Sequence, residues 1–240
     1  MARSMPNAVF LAMLFAVPTA FAGELDQLQN LGQAGFRLVS EDLGAALSSK
    51  SYVPSAPLGI TGFDVGLNIT VTSLKHHDLI EQASSDSVPS SLPFAQIRVM
   101  KGLPWDIDIG ASYSYLAGTD IKYWGVEARY AIVAGSTVMP AVSVRGSYTQ
   151  LTGIGQLDFD TKGLDFSISK KILLVTPYAG AGYVWVSSKP NGVPGLGGEN
   201  FSYPKLFAGL RANLLLASFT FEADKTGDAV SYGLRVGVGF

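Results

Sequence analysis

The chain has 240 residues, contains no cysteine and carries a formal net charge of −2, from 17 basic and 19 acidic residues. Disulfides and a lipid-modified N-terminal cysteine are therefore excluded, and there is no basic field that would bind nucleic acid. Charged residues make up 15% of the sequence, below the roughly 25% of soluble domains. The 27 glycines and 10 tyrosines favour a chain of short strands and turns.

The first 22 residues have the pattern of a secretory signal peptide. Arg3 supplies a short basic region, an apolar run follows at 8–17, and Ala20-Phe21-Ala22 is a small-x-small cleavage site. The apolar run is shorter than the roughly 20 residues of a membrane-spanning helix, which disfavours a retained anchor. The sequence predicts export, with residues 1–22 removed.

Residues 23–58 form a separate N-terminal region. Between Glu24 and Lys50, leucine and valine recur at intervals of three, four and seven, which predicts a helix in spite of three glycines. Pro54 and Pro57 then mark an extended linker. Two positions remain open for this helix: an appendage beside the strands that follow, or a plug among them.

From residue 59 to residue 240 the apolar period changes to 2, which predicts strands. In the third strand, for example, Ile107 and Ile109 alternate with Asp106 and Asp108. An eight-stranded count remains as the alternative, if the weak second and ninth strands are loops. The ten predicted strands lie at 60–74, 94–101, 105–115, 124–132, 142–149, 161–170, 174–187, 203–214, 219–222 and 229–240.

The last predicted strand is apolar on one face up to its final residue. A strand of a membrane barrel turns such a face to lipid and its small or polar face to the lumen. The chain resembles Gram-negative outer-membrane β-barrel proteins, in which an alternating last strand ending in phenylalanine is read by the barrel-assembly machinery. The matching positions are Tyr232, Leu234, Val236, Val238 and Phe240.

The resemblance implies an all-β fold, a closed antiparallel transmembrane barrel of about ten strands preceded by a short helix. Its partners would be outer-membrane lipid and the assembly machinery, and its location the outer membrane. The predicted long connections at 75–93 and 188–202 then fall outside, and the short turns fall on the periplasmic side, as expected for such barrels. The N-terminal helix is expected on the periplasmic side or as a plug of the lumen.

Charged residues within the strands occur mainly at positions that face the lumen. Arginine suits fixed carboxylate pairs in a confined space, so these charges are expected either to seal the interior with salt bridges or to line a narrow polar channel. The predicted lumen charges are Arg98, Arg129, Arg145, Arg211, Arg235, Asp64, Asp106, Asp108, Glu127, Asp165 and Glu222.

A catalytic or metal site is not indicated. The two histidines, His76 and His77, stand beside Asp78 and Glu81 in the first predicted outer loop, where a histidine with carboxylates could act as a general base. The omptin surface proteases, which also have ten strands, take a His-Asp pair from a late loop. The late loops of this chain contain no histidine. No cofactor and no metal are expected.

The sequence therefore predicts a small pore or transport-type barrel for small solutes that is not an enzyme. The alternative is a structural or surface-recognition barrel with a sealed lumen, which acts through its extracellular loops. A hydrolase at the outer rim is a remote third possibility. The oligomeric state and the identity of any solute remain open.

Overall fold

The computed structural model describes residue 25 and residues 27–84, 89–115 and 120–240. The predicted signal peptide with Arg3 and Ala22 lies outside these residues, as does Glu24. A single 3-10 turn, Leu28–Asn30, precedes helix α1 (Gln33–Leu47), and a short helix α2 (His77–Gln82) lies in the first long loop.

Ten antiparallel strands form one closed barrel. Each strand pairs with the next along the chain, and β1 pairs with β10, where Val65 lies opposite Val238. The strands are β1 (Phe63–Ser73), β2 (Ser91–Gly102), β3 (Ile107–Tyr115), β4 (Lys122–Val133), β5 (Ala141–Thr152), β6 (Leu157–Ser169), β7 (Val175–Pro190), β8 (Glu199–Leu214), β9 (Ala217–Thr226) and β10 (Ala229–Gly239).

The predicted count of ten strands is confirmed, and the eight-stranded alternative is wrong because β2 and β9 are full members of the barrel. Several strands are longer than predicted. Strand β7 continues to Pro190 and β8 begins at Glu199, so the predicted loop 188–202 shrinks to 191–198. Inter-strand hydrogen bonds extend these strands through residues such as Lys189 and Glu199, whose polarity suggested a loop.

The outer wall of the barrel is apolar. Its band of exposed large side chains exceeds what a soluble monomer leaves in water, and it matches the lipid-facing belt of an outer-membrane β-barrel. Tyr183 and Trp185 face outward on β7 and are about half exposed. The band includes Ile97, Val99, Ile109, Val126, Ile132, Phe166, Ile168, Leu206, Leu210, Phe219, Phe221, Leu234 and Val236.

The two ends of the barrel differ, and we name them by their connections. The loop end carries the two longest connections, 74–90 and 191–198, together with the turns 153–156 and 227–228. The turn end carries the connections 103–106, 134–140, 170–174 and 215–216 together with the start of β1 and residue Phe240. Long loops outside and short turns inside the cell envelope are the arrangement of outer-membrane barrels, so the loop end is expected to face outward. No helix among the described residues is both long and apolar enough to cross a membrane.

The seam between β1 and β10 ends in an aromatic contact at the turn end. The backbones of Phe63 and Phe240 exchange two hydrogen bonds, of 2.9 and 3.1 Å, and their rings meet edge to face with centroids 4.4 Å apart. The predicted assembly residues Tyr232, Leu234, Val236 and Val238 face outward along the same seam. Their recognition by the assembly machinery stays a prediction.

A charge at the middle of this seam should destabilise the barrel in lipid. Leu234 lies halfway along β10 and is 61% exposed on the outer wall, so we expect Leu234→Arg to lower the free energy of unfolding in lipid vesicles by about 2–4 kcal/mol. Leu216→Arg is the control, because Leu216 lies in the turn between β8 and β9 and should cost about 0–1 kcal/mol. Denaturant titrations in vesicles measure both variants, and equal losses would contradict the assignment of the outer wall to lipid.

Candidate functional site

The lumen is occupied by the stretch between α1 and β1. We call residues 48–58 the luminal segment. At the loop end, the Tyr123 hydroxyl at the start of β4 donates to the carbonyl of Leu47 over 2.6 Å. At the turn end, the backbone N–H of Leu58 donates to Oδ1 of Asp108 over 3.0 Å, and Asp108 lies opposite Gly102 at the last pairing of β2 with β3. The segment therefore runs through the barrel from one end to the other.

Glu127 is the centre of the main cluster of charges. Its carboxylate accepts from Nε of Arg98 at 2.6 Å and from Nη1 of Arg145 at 3.1 Å. Arg145 also binds Asp165, with 3.1 Å from Nε to Oδ2, and Lys205 binds the same Asp165 oxygen at 3.3 Å. All five side chains are nearly fully buried, so each charge depends on these partners for its stability.

A second group of ion pairs lies toward the turn end. Asp64 binds Arg211 at 2.6 Å and also contacts Arg235. Asp108 binds Nη2 of Arg129 at 2.6 Å. A cavity of about 450 Å³ opens at this end, and Asp64, Arg129 and Arg211 line it together with apolar residues such as Phe63.

The arginines also bind the main chain of the luminal segment. Arg145 donates to the carbonyls of Lys50, at 2.8 Å, and of Ser49, at 3.1 Å, and Arg98 donates to those of Lys50, at 3.1 Å, and Ser51. Lys205 donates to Ser49 at 2.6 Å. The charged wall and the segment thus form one hydrogen-bonded network across the middle of the barrel.

Two residues of the segment, Lys50 and Tyr52, fix its register. The Lys50 ammonium lies 2.9 Å from Asp224 and 3.1 Å from the Ser231 hydroxyl. The Tyr52 side chain fills the space above Gly233, where a Cβ atom would come within 1.9 Å of the Tyr52 hydroxyl. The Tyr52 hydroxyl also contacts the Thr70 hydroxyl.

Helix α1 closes the loop end through apolar packing. Phe36 and Leu43 of α1 are buried against Ile80 of α2 and against Phe159 and Val186 of the wall. This placement excludes an appendage at the turn end, and it fits the predicted alternative in which the N-terminal region enters the barrel. The extent of residues 23–58 as a unit is untested, because residues 23, 24 and 26 lie outside the described residues.

The histidines lie at the rim of the loop end. The backbone N–H of His76 donates to Asp42 over 2.6 Å, and Nδ1 of its ring is 3.5 Å from the other Asp42 oxygen. Burial raises the pKa of the Asp42 carboxyl, and the bonds from His76 oppose that shift. Nε2 of His77 lies 2.9 Å from the exposed Asp78. The contacts between His76 and Asp42 join α1 to the first long loop.

The structure buries every predicted lumen charge except Asp106. Asp106 is exposed in the turn between β2 and β3, with a left-handed φ of 57°, because the strand begins one residue later at Ile107. Trp105 belongs to the same turn and is 83% exposed. Glu222 is buried, but it binds the N–H groups of the luminal segment and the hydroxyl of Tyr178 rather than an arginine.

Three charges buried in the lumen were missed by the sequence analysis, besides Asp42 of α1 at the rim. Lys205 lies within the predicted strand 203–214 and in phase with its inward residues, so the alternation already marked it. Asp224 lies in phase with the inward residues of β9, two residues beyond the predicted end of that strand. Lys50 had no such signal, because it precedes the barrel and its partner Asp224 is 174 residues away.

No family model matches the sequence, and no curated protein does. Comparison of structures finds distant neighbours among small outer-membrane β-barrels. The N-terminal β-barrel domain of Pseudomonas aeruginosa OprF has a TM-score of 0.37 and 13% identity, and the match covers 74% of this chain and 97% of that domain. The KdgM porin has a TM-score of 0.37 and 10% identity, over 74% and 99% of the two chains. Neisserial surface protein A has a TM-score of 0.31 and 11% identity, over 74% and 94%.

Removing one charge from the main cluster should destabilise the whole barrel. Glu127→Gln leaves Arg98 and Arg145 without their shared carboxylate, and we expect a loss of about 3–5 kcal/mol in the free energy of unfolding. Asp106→Asn is the matched control, because that side chain is exposed, and it should change stability by less than about 0.5 kcal/mol. Unfolding in detergent or lipid measures both. A loss for Asp106→Asn equal to that for Glu127→Gln would contradict the assignment of Asp106 to the turn.

Proposed function

We propose that this protein is a transport-type outer-membrane barrel for small solutes whose lumen is closed by its own N-terminal segment. The observation that carries the proposal is the course of the luminal segment from the loop end to the turn end. The inward-facing side chains of an eight-stranded barrel can fill its interior, and a barrel of ten strands encloses more space. In this barrel one continuous stretch of chain supplies the additional filling.

The pairing of the wall charges supports the same function. The ion pairs between wall residues join strands no more than three places apart around the barrel, as Asp64 of β1 and Arg211 of β8 do. Each pair therefore follows the wall around the barrel, and none joins strands five places apart on opposite sides of the lumen. If the luminal segment moved aside, the space it occupies would become a polar passage lined with charges, which is the type of lining that selects small solutes.

Displacing Tyr52 should open this passage. Gly233→Leu places a side chain where the Tyr52 ring lies, so we expect discrete current steps in planar bilayers that the unchanged protein shows rarely or not at all. Gly146→Leu is the control, since no atom lies within 4 Å of a Cβ built at Gly146. Conductance is compared after heat-dependent gel mobility has shown that both variants fold.

A reversible lock tests whether the luminal segment is the gate. The hydroxyl oxygens of Ser55 and Ser167 lie 2.8 Å apart, and the chain has no native cysteine. A disulfide between Ser55→Cys and Ser167→Cys, added to Gly233→Leu, should abolish the current steps, and reduction should restore them. The proposal would be contradicted if the folded Gly233→Leu barrel showed no current steps, or if its current steps were the same with the disulfide formed and reduced.

The second candidate is a sealed barrel that acts in surface recognition through its outer loops. It is favoured by the apolar cluster around Phe36 and Leu43, which holds α1 against both the wall and α2. Replacement of 191–198 by a Gly-Ser loop distinguishes the two functions. Recognition of a surface would be lost with that loop, whereas ion flux through Gly233→Leu would survive its replacement.

A further inference from the structure

The wall of the lumen binds the luminal segment mainly through its main chain. Cationic side chains and hydroxyls of the wall donate to a run of carbonyl oxygens that begins at Leu47, the last residue of α1, and continues into the segment. Leu47 receives bonds from Tyr123 and Thr149, Ser49 from Arg145 and Lys205, Lys50 from Arg98 and Arg145, Ser51 from Arg98, and Pro54 and Ala56 from Arg129. A carbonyl group is present at every position of a polypeptide. These donors therefore bind a chain whatever its side chains are.

Wall acceptors bind the N–H groups of the same segment. Glu222 is the clearest example, because its two carboxylate oxygens accept from the N–H of Ser51 at 3.0 Å and of Tyr52 at 2.7 Å. The carboxylate is fully buried, and the Tyr178 hydroxyl donates to it over 2.6 Å. The hydroxyl of Ser169 accepts from the N–H of Ser55 at 2.9 Å. Donors and acceptors of the wall together satisfy both kinds of main-chain group.

The hydroxyls of Ser49 and Ser55 contact Arg145 and Ser167 of the wall, but the two long side chains of the segment make the larger contacts. Lys50 reaches Asp224, and Tyr52 fills the gap above Gly233. In peptide recognition by extended chains, main-chain hydrogen bonds give affinity and pockets for particular side chains give specificity. The lumen has both components, in a space that excludes most water.

We propose that the lumen is a binding site for a polypeptide chain with the bent course of the luminal segment, in which Tyr52 has a φ of 52°, and that the barrel can take a peptide ligand in place of its own luminal segment. The expected ligand carries a basic residue followed two positions later by an aromatic residue, matching Lys50 and Tyr52. This inference rests on the proposed function, because a ligand enters only when the segment leaves. It narrows the small solutes of that function to peptides.

The experiment uses the complete chain with one protease site inserted between Ile60 and Thr61, which are exposed at the turn end. After folding in detergent the chain is cut, and the freed N-terminal piece is exchanged for a fluorescein-labelled synthetic peptide of residues 47–58. Fluorescence anisotropy then gives the affinity. Conductance of the same cut and exchanged barrels is recorded in parallel.

Peptide variants separate recognition of the main chain from recognition of side chains. N-methylation at Tyr52, which removes the N–H bonded to Glu222, and the substitution Tyr52→Ala should each weaken binding about tenfold or more. Lys50→Gln should do the same, because it breaks the pair with Asp224. Ser51→Ala is the control: it keeps the main chain, its hydroxyl donates to the Val53 carbonyl of the segment itself, and it should alter affinity by less than about threefold.

The outcomes separate this inference from the proposed function. A cut barrel that releases its segment and conducts ions, but binds neither the unmodified nor the N-methylated peptide, overturns the inference and leaves the proposed function standing. Equal affinity for the unmodified and the N-methylated peptide has the same consequence. A barrel that binds the peptide yet stays silent when its lumen is emptied overturns the proposed function.

If the N-terminal piece does not leave the barrel after cutting, main-chain binding is tested by hydrogen exchange in the uncut chain. Glu222→Ala should speed exchange at the amides of Ser51 and Tyr52 by about tenfold or more. Thr220→Ala is the matched control, since Thr220 is buried on the same face of β9 and its hydroxyl has no partner among the described residues. Unchanged exchange in Glu222→Ala overturns the inference.

Discussion

The structure depends on the requirement that every buried charge and every main-chain group in the lumen find a partner. Lipid surrounds the barrel and supplies none, so partners must come from inside. Glu127, Asp165 and Asp64 each hold two cations. The luminal segment has the complementary need, since it lies in neither helix nor strand and its carbonyls and N–H groups have no regular partners of their own. The wall provides hydrogen-bond partners for the main chain of the segment, and the segment provides partners for the charges of the wall.

The interior is divided along the barrel axis. Toward the loop end the contacts are apolar, with α1 packed against the wall by residues such as Phe36 and Leu43. The middle and the turn end are polar, and there the contacts are ion pairs and hydrogen bonds. Apolar packing excludes water from one mouth, which strengthens the electrostatic contacts deeper in the lumen. From α1 at the loop end the chain runs through the lumen to the turn end, where Leu58 precedes the start of β1.

The sequence predicted the barrel well, because alternation with period 2 is a local property that each strand shows separately. It also placed nearly all the wall charges, since Arg145 and Asp165 each lie in phase within a clear strand. It failed for Asp106, because a turn residue next to a strand continues the alternation by chance. The course of the luminal segment could not be predicted: its contacts are mostly to main-chain atoms, which leave no pattern in the residues themselves.

The course of the N-terminal region constrains how the barrel can assemble. Helix α1 lies at the loop end, whereas β1 begins at the turn end, and an α-helix with its side chains is about 10 Å wide. Such a helix cannot be drawn past the belt of arginines and carboxylates once β1 and β10 have paired. If α1 folds before that seam closes, the sheet must therefore wrap around a chain already in place. The N-terminal region then serves as the core on which the cylinder forms.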